Sequence, residues 1–375
     1  MQLRWLNYHG ASLQKPREGL LAPGRCDIED GSKSPIPKRN GAAQALQQCS
    51  ETSGNMRRCR VALFLLLGYA LIVEWLVYLV APYWNWPYLP LTAGIGTRLL
   101  LVADPQLLGR VNTAPGLFGI IERWDADRYI SKTFALANDY FKPHVVIFLG
   151  DLSDEGEFAT DDDFRSYVER FFDIFTHIDY KQAIFLPGDN DIGGERKSVG
   201  KAELERFNSY FRNDTFLTYR GIDFIKVNYL TTSYAYRSHL SQLGSNVRFV
   251  LSHVPLSTSY GHYIKDVVKE LRPDVMLAGH RHESVHLVAE QNTGSVEHLE
   301  LRLGSNRRPV RMDLSAGRLH ELRLPPCSYR MGTHWVGFGA AILGKWCMRR
   351  GRDSSSIVLV WASLNLLFVI YAAVV

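Results

Sequence analysis

Residues 145–151 read VVIFLGD, and this short run decides the fold. From Val145 to Leu149 there is no polar residue at alternate positions, so neither face of the element suits water. The run has a strand's length rather than a helix's, and it passes directly into Gly150 and Asp151. Working outward, the same form recurs as RLLLVAD (98–104), AIFLPGD (183–189), RFVLSH (248–253) and VMLAGH (275–280). FIKVNY (224–229) and VHLVAE (285–290) read as further strands. Longer amphipathic stretches at 125–141, 161–178, 201–211 and 263–271 read as helices. The second of these opens on Asp161, Asp162 and Asp163, which favour the positive end of a helix dipole. Strand–helix alternation predicts an α/β domain, and the strand-rich stretch beyond residue 285 suggests a second sheet.

The polar residues stand at the strand ends. Asp104, Asp151, Asp189, His253 and His280 each close an apolar run, and His282 follows two residues on. Ligand sites of α/β sheets lie just beyond the carboxyl ends of strands, so these side chains can meet in one crevice. Singly, each carboxylate reads as a loop cap and each histidine as a buried structural residue. As an ordered set, carboxylates with imidazoles suit borderline divalent ions such as manganese, iron or zinc. Three carboxylates crowded together without cations would be pushed towards protonation. Two divalent ions about 3.5–4 Å apart would neutralise them and clamp phosphate oxygens for in-line attack. Asp191 reads as support for its loop. Asp154, Glu155 and Glu157 read as a solvated loop or the rim of a substrate entrance. Arg281 either points away or clamps a phosphate. His144, His286 and His320 have no motif around them and read as structural.

The chain has 375 residues, 46% hydrophobic and 22% charged, which excludes intrinsic disorder as its general state. Its net charge of +5 sits in the flanks: residues 1–60 carry ten Lys/Arg against five Asp/Glu, and 328–375 carry five against one. Residues 97–327 carry 28 against 31, so the folded middle has no basic surplus to mark a nucleic-acid partner. Residues 1–60, rich in Gly, Pro, Ser and Gln, read as a disordered cytosolic tail. VALFLLLGYALIVEWLVYLV (61–80) is long enough to cross a bilayer of about 30 Å, so 61–81 is expected to be a transmembrane helix. Arg57, Arg58 and Arg60 precede it, and Tyr83, Trp84, Trp86 and Tyr88 follow, which places the folded domain (97–325) on the lumenal side. SIVLVWASLNLLFVIYAAVV (356–375) reads as a second span, and WVGFGAAILGKWCM within 335–348 as a shorter membrane segment followed by arginines. None of the five cysteines falls within 97–326, so the domain needs no disulfide. Asn213-Asp214-Thr215 is a glycosylation sequon that suits a lumenal loop.

Asp104-Pro105-Gln106, Gly150-Asp151, Gly188-Asp189-Asn190-Asp191, His253 and Gly279-His280-Arg281-His282 together resemble the calcineurin-like metallophosphoesterases. That family's pattern is Asp-x-His, Gly-Asp, Gly-Asn-His-Asp, His and Gly-His-x-His, and the order holds over residues 97–325. The resemblance implies an α/β fold of two mixed β-sheets sandwiched between helices, with flanking transmembrane helices. It implies two divalent metal ions, Mn2+ by expectation, bridged by Asp151. Asp104 and His282 would serve one ion, and Asp189, His253 and His280 the other, with a water between them as nucleophile. Three positions depart from the family. Gln106 stands for its first His and Asp189 for its Asn ligand. Asn190 replaces the catalytic His; it can hydrogen-bond a phosphate oxygen but cannot be a general acid, a role worth roughly 10²–10⁴ in rate. His262 or a metal-bound water would then supply the proton.

The layout of a lumenal domain between membrane helices, with the strings DPQLLG and GDLSDEG, is similar to the GPI-remodelling group of that family. The likeness implies a phosphodiesterase that removes ethanolamine phosphate from GPI mannose during ER-to-Golgi transport. GPI-anchored proteins would be the substrates, and the location the membrane of the endoplasmic reticulum, its exit sites or the Golgi, as a multi-pass protein. Two alternatives stay open: a phosphoesterase acting on a nucleotide or lipid head group, and a non-catalytic membrane scaffold that keeps the fold.

Overall fold

In the computed structural model the domain interleaves strands with helices. The structure describes residues 41–76, 78–80, 86, 96–176, 182–211, 214–234, 246–257, 262–290, 296–300, 310–314, 318–333, 336–343 and 356–363. In chain order the strands are β1 (Thr97–Val102), β2 (Val145–Phe148), β3 (Ala183–Phe185), β4 (Phe216–Tyr219), β5 (Ile222–Asn228), β6 (Ser233–Tyr234) and β7 (Val247–Leu251). They continue as β8 (Val275–Ala278), β9 (Val285–Glu290), β10 (Val296–Glu300), β11 (Val310–Asp313), β12 (Arg318–Arg323), β13 (Gly337–Leu343) and β14 (Ser356–Ser363). One sheet runs β11-β14-β13-β1-β2-β3, the other β10-β9-β12-β8-β7-β5-β4 with β6 on β5. β1, β2 and β3 are parallel, as are β5, β7, β8 and β12, and the outer strands are mostly antiparallel. The predicted α/β fold of two mixed sheets between helices is what forms.

Alternation along each strand makes three apolar layers. Leu100 and Val102 of β1 and Phe148 of β2 join Phe134, Phe171 and Phe175 of the covering helices. Leu99, Leu101 and Ile147 turn the other way and meet Phe224, Phe249 and Leu277 of the second sheet. Ile225, Val250 and Met276 pack under Val267 and Leu271 of the helix His262–Leu271. Each central strand is therefore covered twice, which is why its sequence lacks polar alternation. The helix Asp161–Ile174 starts where the three aspartates predicted, with the Thr160 hydroxyl accepting from the Asp163 backbone N–H.

The flanks differ from expectation. A helix spans Gly41–Leu71, so residues 41–60 are not the disordered tail expected; residues 1–40 lie outside the described residues. Met56–Val80 is 25 residues of mean hydropathy 2.3, and among the described residues it alone has the length and apolarity of a membrane-crossing helix. The possible membrane segment at 335–348 is instead β13 over Gly337–Leu343, buried throughout and antiparallel to β1. The expected transmembrane helix at 356–375 is likewise corrected over its first part: Ser356–Ser363 is β14, paired with β13 and β11, and 364–375 fall outside the described residues. Short runs of apolar and β-branched residues suit a doubly covered strand as well as a span, and the open side of β1 supplied the partner. The sequon Asn213 also lies outside the described residues.

Candidate metal centre

The ends of β1, β2 and β3 in one sheet and of β7 and β8 in the other point at one seam. The loops after β1 and β2 are zipped together, with Gln106 N–H donating to Asp151 O at 2.9 Å and Leu107 N–H to Leu152 O at 3.1 Å. Across the seam the His280 N–H donates to both Asp104 carboxylate oxygens at 3.1 Å. The His253 Nδ1–H donates to Leu149 O at 2.8 Å, which leaves Nε2 facing inward. His253 Nε2 and His280 Nδ1 both lie 2.9 Å from Asp189 Oδ1, and His253 Nε2 lies 3.4 Å from Asp151 Oδ1. Asp104, Asp151, Asp189 and His253 are all buried.

These contacts make two overlapping triads, Asp104/Asp151/His253 and Asp189/His253/His280. Within each, the candidate ligand atoms lie inside 4.8 Å of one another. The donor chemistry fits divalent ions of the manganese, iron or zinc kind. His253 is common to both triads, whereas the sequence reading gave it to one ion only. His282 stands at the edge, its Nε2 3.3 Å from Gln106 Nε2, and joins neither triad.

Electrostatics carry the mark of an acid cluster that needs cations. Burial, reinforced by the Asp151 charge, pushes the Asp104 carboxyl up to about 7, against the pull of His253. Burial also raises Asp151, with the Asp189 charge adding to it. Asp189 goes the other way: burial opposes ionisation, but hydrogen bonds from His253 and His280 overcome it and hold the carboxyl well below its ordinary value. His253 is disfavoured as a cation by burial, yet the surrounding carboxylates lift it to about 10. Burial and the neighbouring imidazoles lower His282 to about 4, which keeps it neutral at physiological pH, as a metal ligand must be.

The backbone is bent to reach this arrangement. Asp104, Gln106, Asp151, His280 and His282 have φ of 48°, 41°, 52°, 64° and 52°, in the left-handed region that costs roughly 1–2 kcal/mol per residue. Such strain gathers at functional sites. Gly188 is required by closeness, since a Cβ there would sit 2.1 Å from Asp151 Oδ1. Gly150, at φ 97°, would bring its Cβ within 2.5 Å of His253 Nδ1.

Asn190 and Gln106 both contact Asp151. Their side-chain amides donate to the same oxygen, Asp151 Oδ2, at 2.8 and 3.0 Å, and the Asn190 backbone N–H donates to Oδ1 at 2.9 Å. Asp191 supports the loop as expected, accepting from the backbone N–H groups of Leu152, Ser153 and Gly188. Arg281 is exposed. The side chain of His262 lies outside the described ones.

Sequence reasoning missed Arg196 and misread two glutamates. Arg196 donates to Asn190 Oδ1 and Asp154 O and pairs with Glu157 at 2.8 Å. Holding the Asn190 oxygen obliges its NH2 to face Asp151. Glu155 and Glu157 are not solvated but buried, at 1% and 2% exposure. Glu155 accepts twice from the Val111 N–H, at 3.0 and 2.9 Å, and from the Tyr167 hydroxyl at 3.2 Å.

Residues 97–284 match the calcineurin-like phosphoesterase family. This chain belongs to that family. Over 177 residues it is 32% identical to Metallophosphoesterase 1 of Danio rerio, covering 45% of each chain. It is 32% identical over 133 residues to the Metallophosphoesterase 1 homolog of Drosophila melanogaster, covering 35% of this chain and 34% of that one. The chain thus spans less than half the length of the curated relatives it matches. Among solved structures, a dimetal phosphatase from Danio rerio is similar over 70% of this chain and 99% of its own, at 13% identity and a TM-score of 0.37. The match ends at residue 284, so all six candidate metal ligands and Asn190 fall inside it.

Proposed function

We propose that this chain is a membrane-anchored, dinuclear metal-dependent phosphodiesterase that removes ethanolamine phosphate from GPI-anchor mannose. The observation that carries the hydrolase reading is the pair of buried acid–imidazole triads sharing His253 at the seam of the two sheets. Two divalent ions, manganese by preference, would supply Lewis acidity and an activated water there. Asp104, Asp151, Asp189, His253, His280 and His282 are the proposed ligands. Asn190, aimed by Arg196, offers its NH2 to a phosphoryl oxygen and so acts as a charge-stabilising group rather than a proton donor. Gln106 and Asn190 share the task of orienting Asp151.

The GPI assignment is supported by the apolar helix Met56–Val80 ahead of the domain, by the DPQLLG and GDLSDEG strings, and by relatives named Metallophosphoesterase 1. It carries with it the early secretory membrane as location and GPI-anchored proteins as substrates. Mass spectrometry of GPI glycans tests it in cells lacking the chain, restored with wild type or with Asp151→Asn. Ethanolamine phosphate that persists in the null and is cleared by wild type alone supports the assignment. Unchanged glycans in the null remove the substrate while leaving the chemistry to a screen of other phosphodiesters.

A further inference from the structure

The long helix Leu117–Phe141 buries one side through Ala126, Tyr129, Ile130, Thr133, Phe134 and Ala137. On the opposite side its first two turns carry Leu117, Phe118, Ile120, Ile121 and Trp124, all 50–78% exposed, and Val111 just upstream is 77% exposed. Residues 117, 120, 121 and 124 follow the i, i+3, i+4, i+7 spacing of a single stripe. Single exposed apolar residues are ordinary, but a contiguous patch of large ones marks a contact surface.

The same stripe continues along the helix to Arg128 and Lys132, and there it meets the end of the apolar segment Met56–Val80. Both cations pair with Glu74, Lys132 at 2.9 Å. The Lys132 ammonium lies 5.6 Å from the Trp75 ring and 5.0 Å from the Tyr78 ring, and the Arg128 guanidinium lies 5.0 Å from the Trp124 ring. The exposed stripe and residues Glu74, Trp75 and Tyr78 at the end of the membrane-length segment thus share one side of the long helix. Arg110, with a side chain 71% exposed, stands beside the patch. Apolar residues bordered by Trp and Arg have the composition of a helix lying in a bilayer interface. Glu155 holds Val111, and Gln106 contacts Asp151, so the patch is tied to the metal centre by the loop that begins at Asp104.

We propose that residues 111–124 are a membrane seat. They lie at the boundary of head groups and acyl chains in the bilayer that Met56–Val80 crosses, and they hold the metal centre over the lipid surface. The proposal rests on the membrane-anchored reading above, and it makes the substrate class a phosphoester presented at a bilayer surface.

The test uses the full chain in vesicles of phosphatidylcholine and phosphatidylserine. Cys26, Cys49, Cys59 and Cys347 are replaced by Ser, the buried Cys327 is kept, and Phe118→Cys carries a nitroxide. Its collisions with oxygen and with a water-soluble nickel chelate are compared with those of a label at Glu169→Cys, on an exposed helical position. The expected result is a label at 118 that favours oxygen, at a depth of roughly 5–10 Å, while the label at 169 favours the chelate. A label at 118 that favours the chelate overturns the seat. So does one shielded from both reagents, which would place a protein surface or a second copy there. Alkaline extraction of the same vesicles reads the anchor separately: release of the chain overturns anchoring, whereas retention with an aqueous position 118 overturns the seat alone. Wild-type circular dichroism confirms the fold, and Ile121→Cys repeats the measurement where Phe118→Cys fails that check.

Discussion

The two sheets supply opposite halves of the candidate metal centre. β1, β2 and β3 lead into Asp104, Asp151 and Asp189, all acids, while β7 and β8 lead into His253, His280 and His282, all imidazoles. Neither half is comfortable alone. The acids are buried deeply enough that Asp104 holds a proton up to about 7. His253 in turn is lifted to about 10 only because the acids of the other sheet face it. The site is therefore a product of the approach of the sheets, and it is held there by His280 N–H on Asp104 and His253 Nδ1–H on Leu149 O.

The comparison breaks most visibly at the centre of the acid half. Asp151→Asn should lower metal-dependent hydrolysis of a soluble phosphodiester by about 10³-fold, with a matching loss of bound metal by elemental analysis. Undiminished turnover would show that the acid half is structural. Next is the shared member of the imidazole half. His253→Asn should cost about 10²-fold and lower the affinity for both ions rather than one, which titration of the metal-free protein resolves. Loss of a single ion would restore the simpler partition, one imidazole to one metal.

A smaller effect sharpens the contrast through pH. Metal must displace the proton that the facing acids hold on His253 up to about 10 and, below about 7, also the one that burial holds on Asp104, so affinity should fall by about tenfold per pH unit above 7 and by about a hundredfold per unit below it. His282, already neutral above about 4, adds nothing to that slope between pH 5 and 7. Calorimetry in buffers of different ionisation heat counts the released protons, and a slope that does not steepen below pH 7 contradicts the acid-half account. Smallest is Arg196→Ala, expected to lower kcat by roughly tenfold with bound metal unchanged, because it only frees the Asn190 amide to turn. A loss of metal in that variant would mean that Arg196 braces the acids instead.

Much of this site was legible in the sequence. All three acids and two of the three histidines close apolar runs, with His282 two residues beyond the last of them. Gln106 and Asn190 could be found by position but not assigned contacts, since both turn on one oxygen of Asp151. Arg196 sits in a charged loop whose sequence is that of any surface turn. The start of the long helix was read at Asp125 rather than at Leu117 because LFGIIERW points away from the core, so its apolar residues do not mark a buried face.

The sequence by itself determined the α/β layering, the order of the candidate ligands and the apolar helix ahead of the domain, because each is written in local runs of residue type. Tertiary structure alone decided that His253 serves both triads, that five site residues take left-handed backbone angles, and that Glu155 and Glu157 are buried. It also decided that the apolar runs at 337–343 and 356–363 are strands. The physical reason is common to all four. Burial, pairing and charge at these positions come from residues far away in the chain, and an apolar run looks the same whether a neighbouring strand or a lipid covers it.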